Sequence, residues 1–542
     1  MPSRTLLSVF VVALLLAPVG SALAAPATTG ASTSAATSPS APAASVSTPV
    51  AQSSGHNGTA ENETIGYFDG YWYDSNITVN QDDGLSDAET RAYVRRTMAR
   101  VEVLRQHNFK HAVPVDVMSR SAYQANQSRG ASNSSHSQWN QQVWEAALVI
   151  GSNTNLSAAM QSYYSNNVLG FYSPSSDAIK IIVPSGKQAY MEYSTLSHEL
   201  QHALQDQYYN LSSAKYGGET QDTQLATSGL VEGEARYVES KYEEKCESGE
   251  WDCVAGPSSA SVSGSSSSTT TTTTTSQSSS ASASPPLSLR LTLYFPYASG
   301  PGYVHTLIQQ GGWAAVDEAW ATPPNTTTEV IHGEAPATKP VSVDRDVATN
   351  GWKTFPNQGV NGTDTLGEAS AFMGLWWQGF QFGANAVPKD AIRSSGEYRA
   401  YHYSAAATTG WAGDKVLPYH KSGKYGFVWK SRWTDASNAS AFADAYVLAL
   451  KAHDATKQNG AWVVTKQDGY QGAYRVVQNG DTVAIVNGPD VAAVNDIRPS
   501  LAGNESASPT TTTSSTVPGF GALAGLVALA ALVVALRITR RR

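Results

Sequence analysis

Cysteine is scarce in these 542 residues: there are two, Cys246 and Cys253. A closed structural metal site built from two cysteine pairs is therefore excluded, because no second pair exists. In a secreted chain, two nearby cysteines pair with each other, so one small disulfide loop around Glu-Ser-Gly-Glu-Trp-Asp is expected. Charge is modest as well. A net charge of −8, with no basic stripe outside the terminal arginines, gives no reason to expect a nucleic-acid partner. No internal repeat of useful length appears. The C-terminal part, Asp344 to Asp496, carries no recognisable nucleophile or cofactor motif.

Long apolar runs are confined to the two ends. Met1–Ala25 has Arg4, the apolar run Leu6–Leu16 and a small-residue end, Ser21-Ala-Leu-Ala-Ala25, which is the pattern of a secretory signal peptide. Near the other end, a Ser/Thr stalk (497–517) leads into Pro518-Gly-Phe-Gly521, an apolar stretch of about 18 residues, then Arg537 and Arg540–Arg542. That length is just enough to span a bilayer, and the trailing arginines favour a cytoplasmic C-terminus. The order of stalk, Pro-Gly-Phe, apolar segment and arginines resembles the archaeal PGF-type sorting signal of haloarchaeal surface proteins. The resemblance implies that the segment is removed and a lipid takes its place. A retained membrane anchor is the plain alternative, and both put the protein on the outer cell surface. About eleven Asn-x-Ser/Thr sequons, Asn57, Asn76 and Asn438 among them, fit an exposed glycoprotein.

Between the ends, residues 26–63 and the tract at 256–286 are dominated by Ala, Ser, Thr and Pro. Neither holds enough apolar side chain to offset the entropy of ordering, so both are expected to be non-globular. The second interrupts a globular region as a tolerated surface insert, because loop-closure entropy grows slowly with length. The expected organisation is a first domain over 64–343 containing that insert, then a smaller α+β module over 344–496.

The chemistry-bearing motif is His198-Glu-Leu-Gln-His202. On a helix, positions i and i+4 point the same way, so both imidazoles can hold one metal ion and Glu199 can act as general base on its water. The bland alternative is a surface helix whose polar side chains face solvent. Ser and Thr in Tyr193-Ser-Thr-Leu-Ser197 offer helix-start residues, and Asp206 is a candidate acceptor for a ring N–H of His202. A catalytic zinc needs a third protein ligand. Leu230-Val-Glu-Gly-Glu-Ala-Arg-Tyr-Val-Glu239 reads as a second helix with Glu232 and Glu234 as its acids. An i,i+4 salt pair of Glu232 with Arg236 is the structural alternative.

His198-Glu-x-x-His202 followed by Glu232-x-x-Ala235 resembles the gluzincin, thermolysin-like branch of zinc metallopeptidases. The resemblance implies Glu232 as third zinc ligand, with Glu234 next in line. It departs at Arg236, where thermolysin-like enzymes carry an Asp, so the partner behind the ligands is open. Val168–Tyr172, Phe295-Pro-Tyr297, Gln310–Trp313, Thr365–Glu368 and Trp429–Trp433 also resemble, in order, a group of secreted predicted metallopeptidases of bacteria and archaea. A zinc peptidase needs a donor for the developing oxyanion, and Tyr297 is the first candidate, His305 the second.

Coarse periodicity places a helix over Ser86–Phe109, a strand over Ala112–Met118, a helix over Trp139–Ile150 and a strand over Ala178–Val183. By resemblance, this last strand either aligns a substrate peptide or is a core strand. Leu287–Tyr297 reads as a strand or turn, followed by a helix near Gly302–Gly311. The module reads as a helix (Thr365–Phe380), a hairpin (Lys415–His420 with Tyr425–Trp433), a helix (Ala439–His453) and short strands at Trp462–Thr465, Tyr474–Val477 and Thr482–Val486. The expectation is an α+β protein: a zincin-like domain followed by a smaller α+β module. It would hydrolyse peptide or protein substrates at the cell surface through zinc held by His198, His202 and Glu232. A catalytically inactive zincin-like surface protein with an adhesive or cell-envelope role is the alternative.

Overall fold

The computed structural model describes residue 61 and residues 63–502, apart from 128–133, 184–187, 258–284, 335 and 395. The expected signal peptide, the N-terminal linker, most of the insert and the C-terminal apolar segment lie outside the described residues. No helix among the described residues is long and apolar enough to cross a membrane.

A short hairpin, β1 (Tyr67–Phe68) and β2 (Tyr71–Trp72), precedes α1 (Asp87–Arg105). Ser86 and Glu89 form a reciprocal capping box at the start of α1, and Gln106 ends it in the left-handed region, three residues before the sequence pattern suggests. Then follow β3 (Val115–Ser119), α2 (Arg120–Gln127), α3 (Ser134–Ala146), α4 (Leu156–Asn167), β4 (Gly170–Ser173) and β5 (Ala178–Val183). These strands form a three-stranded sheet in the order β3-β5-β4, parallel between β3 and β5 and antiparallel between β5 and β4. Ala178–Val183 is thus the central strand. Both its edges are paired, so it cannot align a substrate by main-chain bonding.

Two long helices come next, α5 (Tyr193–Tyr209) and α6 (Gln221–Glu247). Helix α5 begins after Glu192 with no side-chain cap, and Ser194 and Thr195 fall inside its first turn instead of capping it. The disulfide Cys246–Cys253 forms as expected, joining the last turn of α6 to the loop that follows it. Leu287–Tyr297 is helical, not extended: α7 (Leu287–Leu293) runs almost directly into α8 (Phe295–Ala321). Pro296 sits in the first turn of α8, where a missing N–H costs nothing. Helix α8 bends at Gly311–Gly312, with φ of +67° at Gly312.

Helix α9 (Thr327–His332), β6 (Lys353–Thr354) and α10 (Gly367–Phe382) lead into β7 (Trp411–Lys421) and β8 (Lys424–Trp433). Helix α11 (Ala436–Lys451), β9 (Thr456–Gln458), β10 (Ala461–Val464), β11 (Gly472–Asn479), β12 (Thr482–Gly488) and α12 (Val491–Ile497) complete the described chain. The strands make one antiparallel sheet in the order β6-β7-β8-β12-β11-β10-β9. The architecture is mixed α+β.

One apolar core lies among α1, α5 and the small sheet, with Met98, Val101, Ile179, Leu196 and Leu200 at its centre. A larger one joins α6 and α8 to α10, α11 and one face of the seven-stranded sheet, through Leu230, Phe295, Phe372, Trp429 and Phe442. Because it is shared, the module packs continuously against the helix that carries Glu232.

Candidate metal centre

Helix α5 presents His198 and His202 one turn apart, and α6 packs across it to bring Glu232 to the same point. The donor atoms converge. His198 Nε2 and His202 Nε2 lie 3.0 Å apart, and Glu232 Oε2 is 3.4 Å from the first and 3.2 Å from the second. Both histidines are wholly buried, which excludes a solvent-facing helix surface.

The outer ring nitrogens decide what the inner ones can do. His198 Nδ1 lies 3.0 Å from Glu239 Oε2, and His202 Nδ1 lies 2.8 Å from Gln205 Oε1. Each acceptor takes the Nδ1 proton and leaves a lone pair on Nε2. Gln205 is itself oriented by donating through Nε2 to the Val231 carbonyl at 2.9 Å. Two lone pairs and a carboxylate oxygen then face one another inside the protein, and Glu232 Oε2 has no hydrogen-bond donor. Such a trio repels unless a cation stands between its members, so these residues fit a divalent metal ion. A proton is the other way to relieve it. Burial pushes the His198 pKa down, but the Glu232 and Glu239 carboxylates outweigh burial and hold it up, at about 10. Burial acts on Glu232 in the opposite sense, and the two histidines overcome it to hold the carboxyl at about 2.

Glu199 is buried beside this trio. Its Oε2 accepts the Tyr172 backbone N–H at 2.7 Å, and its Oε1 has no partner. Burial raises its pKa to about 7 against the pull of His198 and His202. The Tyr172 N–H points away from β5, so the free edge of β4 faces Glu199.

Glu234 does not join the trio. It is ion-paired with Arg105 and accepts hydrogen bonds from Gln201, Gln205 and the Trp320 indole. Asp206 is not the partner of His202: it accepts the Tyr172 hydroxyl at 2.8 Å and caps the Leu211 N–H at 2.6 Å. Arg236 pairs with Glu239 and Glu243, not with Glu232. Tyr297 is half-buried beside the site, its ring stacked on His198 at 6.3 Å, and loss of solvent raises its pKa well above the ordinary value. His305 faces another way, against Tyr237, Tyr398 and Glu397. Two cavities, of about 150 and 410 Å³, are lined by none of these residues.

Glu239 and Gln205 are the site residues that motif reading missed. Glu239 had a signal: it lies seven residues beyond Glu232, two helical turns on the same face. Residues 353–498 match a domain of unknown function (DUF8575). No curated protein and no solved structure matches the chain.

Proposed function

We propose that this protein is a cell-surface zinc metallopeptidase of gluzincin type, with a zincin-like domain over 64–343 buttressed by the C-terminal module. The observation that carries the proposal is the buried convergence of His198, His202 and Glu232 beside a carboxylate, Glu199, with one free oxygen. Two imidazoles and one carboxylate are the ligand set of catalytic zinc with an open position.

When bound, zinc would supply Lewis acidity to a water and to the scissile carbonyl. Glu199 is held by the Tyr172 N–H through one oxygen, so the other can take the proton of the attacking water and pass it to the leaving amine. The Tyr297 hydroxyl, kept protonated by burial, is the donor for the developing oxyanion. His305, turned toward Tyr237, has no such part. The signal-peptide and C-terminal patterns of the sequence support a location outside the cell, with anchoring by the C-terminus or by a lipid.

The full burial of His198, Glu199 and His202 favours the second reading, an inactive zincin-like surface protein with an adhesive or envelope role. Metal analysis and peptide-library cleavage, each on the unaltered protein, His202→Ala and Glu199→Gln, separate the two. The peptidase reading expects one zinc, lost in His202→Ala and retained in Glu199→Gln, with cleavage reduced at least about 100-fold in the latter. Zinc without cleavage in the unaltered protein supports the inactive reading. No zinc after reconstitution ends the peptidase reading and leaves the inactive one.

A further inference from the structure

The smaller of the two cavities, about 150 Å³, opens where the loop after α3 meets the C-terminal module. Its apolar wall is aromatic. Trp377 and Phe382 meet at 88° with ring centroids 6.3 Å apart, and Phe382 meets Tyr470 at 78° and 5.5 Å. Trp377 and Phe382 are half-buried, so part of each ring stays open to the cavity. The polar wall includes Thr154, Gln381 and Asp468.

A buried relay fixes the Asp468 carboxyl at that wall. Gln378 donates through Nε2 to the Leu148 carbonyl at 3.0 Å, which turns its oxygen toward His453 Nε2 at 2.7 Å. His453 Nε2 therefore carries a proton. On its other side, His453 Nδ1 lies 2.7 Å from Asp468 Oδ2, and that distance needs a second proton between them. Whichever of the two holds it, the Asp468–His453 pair is neutral as a whole. His453 and Gln378 are wholly buried, whereas Asp468 Oδ1 meets the Tyr470 N–H at 3.4 Å, too long to satisfy it. The two loops are locked together. The Ser152 N–H and hydroxyl both donate to the Gly469 carbonyl, at 2.7 and 3.0 Å, and a Cβ at Gly151 would stand 2.8 Å from the same oxygen. The cavity is thus formed before any ligand arrives.

These walls select a ligand class. Among the described residues no lysine or arginine lines the cavity, so an anion would lose its water without gaining a countercharge. The neutral Asp468–His453 pair, with Lys466 Nζ 3.6 Å from Asp468 Oδ2, offers an organic cation no net charge to meet. A wholly apolar ligand would strip water from Asp468 and Gln381 and give nothing back. A neutral molecule with one apolar face and several hydroxyls meets every wall. We propose that the cavity binds a single neutral pyranose, the terminal sugar of a glycan. Its C–H face would lie on Trp377 or Phe382, and its hydroxyls would donate to Asp468 Oδ1 and bond with Gln381 and Thr154. The site shares no residue with the metal centre and does not rest on the peptidase reading.

The test uses the protein purified from a glycosylating and from a non-glycosylating host. The probes are the methyl glycosides of glucose, galactose, mannose and N-acetylglucosamine. Saturation-transfer NMR and calorimetry should show at least one of them bound, with a Kd of about 1 mM or tighter. Trp377→Ala and Asp468→Asn should each weaken it at least about tenfold. Binding confined to the unglycosylated protein identifies a glycan of this chain as the occupant, and equal binding in both forms identifies a glycan of another molecule. No binding in either form, unchanged affinity in the variants, or tighter binding of choline or glucose 6-phosphate overturns the proposal. If Trp377→Ala does not fold, Gln381→Ala, at an exposed position, should weaken binding and decides in its place.

Discussion

Single residues decide how the trio is aimed. The i,i+4 pair was legible because both histidines lie on one helix, and spacing along a helix is local information. What stands behind them was not, because Glu239 reaches His198 only through the crossing of α5 and α6. Arg236, which looks in sequence like a lost carboxylate, clamps Glu239 and so supports the ring it seemed to abandon. Glu239→Gln should therefore lower metal affinity by about 10–100-fold, measured by chelator competition. Asp206→Asn, which touches Tyr172 and Leu211 and not His202, should leave affinity within a few-fold of the unaltered protein. Equal losses in the two variants would return Asp206 to the site and remove Glu239.

Elements decide how closely the pieces approach. Helices α6 and α8 cross on glycine: a Cβ at Gly300 would stand 2.3 Å from the Gly229 carbonyl oxygen, and one at Gly233 would stand 2.5 Å from the Gly300 carbonyl carbon. This contact lowers Tyr297 onto His198 and Glu232. Gly300→Ala must push the helices apart, since the obstructing atoms are backbone, and should cost about 1–3 kcal/mol in denaturant unfolding. It should also weaken metal binding, whereas a surface change on α8 of equal cost should not. Behind the same crossing, Arg105 joins Glu234 and Asp317 in a buried network. Arg105→Ala removes the ion partner of Glu234, and should cost about 3–5 kcal/mol by the same measurement. Retention of full stability would remove the Arg105–Glu234 pair from the account. The Leu-rich run at 287–293 misled the strand assignment because short apolar runs have no period that separates strand from buried helix.

At the scale of the whole molecule, buried carboxyls tie the start of α6 to the module and to α9. Asp364 accepts the Gln221 N–H at the start of α6, and Asp222 accepts the Thr327 N–H at the start of α9. Burial raises both pKa values to about 7, and burial raises Glu102, on α1, to about 8. The folded state therefore holds these protons more tightly than the unfolded chain, whose carboxyls titrate near 4. Their stabilisation is present in acid and is lost as pH rises from about 4 to about 8. Between pH 5 and pH 8 they should lower stability by a few kcal/mol, read as a falling denaturant midpoint. Asp364→Asn, which keeps the acceptor oxygen and removes the titration, should flatten the fall. A slope unchanged by that substitution would remove Asp364 from the account.

The sequence by itself determined the i,i+4 histidine pair, the second helix with its acids, the disulfide and most elements of the C-terminal sheet. Each rests on contacts between near neighbours in the chain or on a period of two or 3.6 residues. Only tertiary structure decided which acid meets the histidines, which groups hold their outer nitrogens, that β4 and not β5 offers a free edge beside Glu199, and that Tyr297 and not His305 lies against the site. Those choices depend on helix crossings and sheet order among segments as much as 100 residues apart, and no local pattern encodes them.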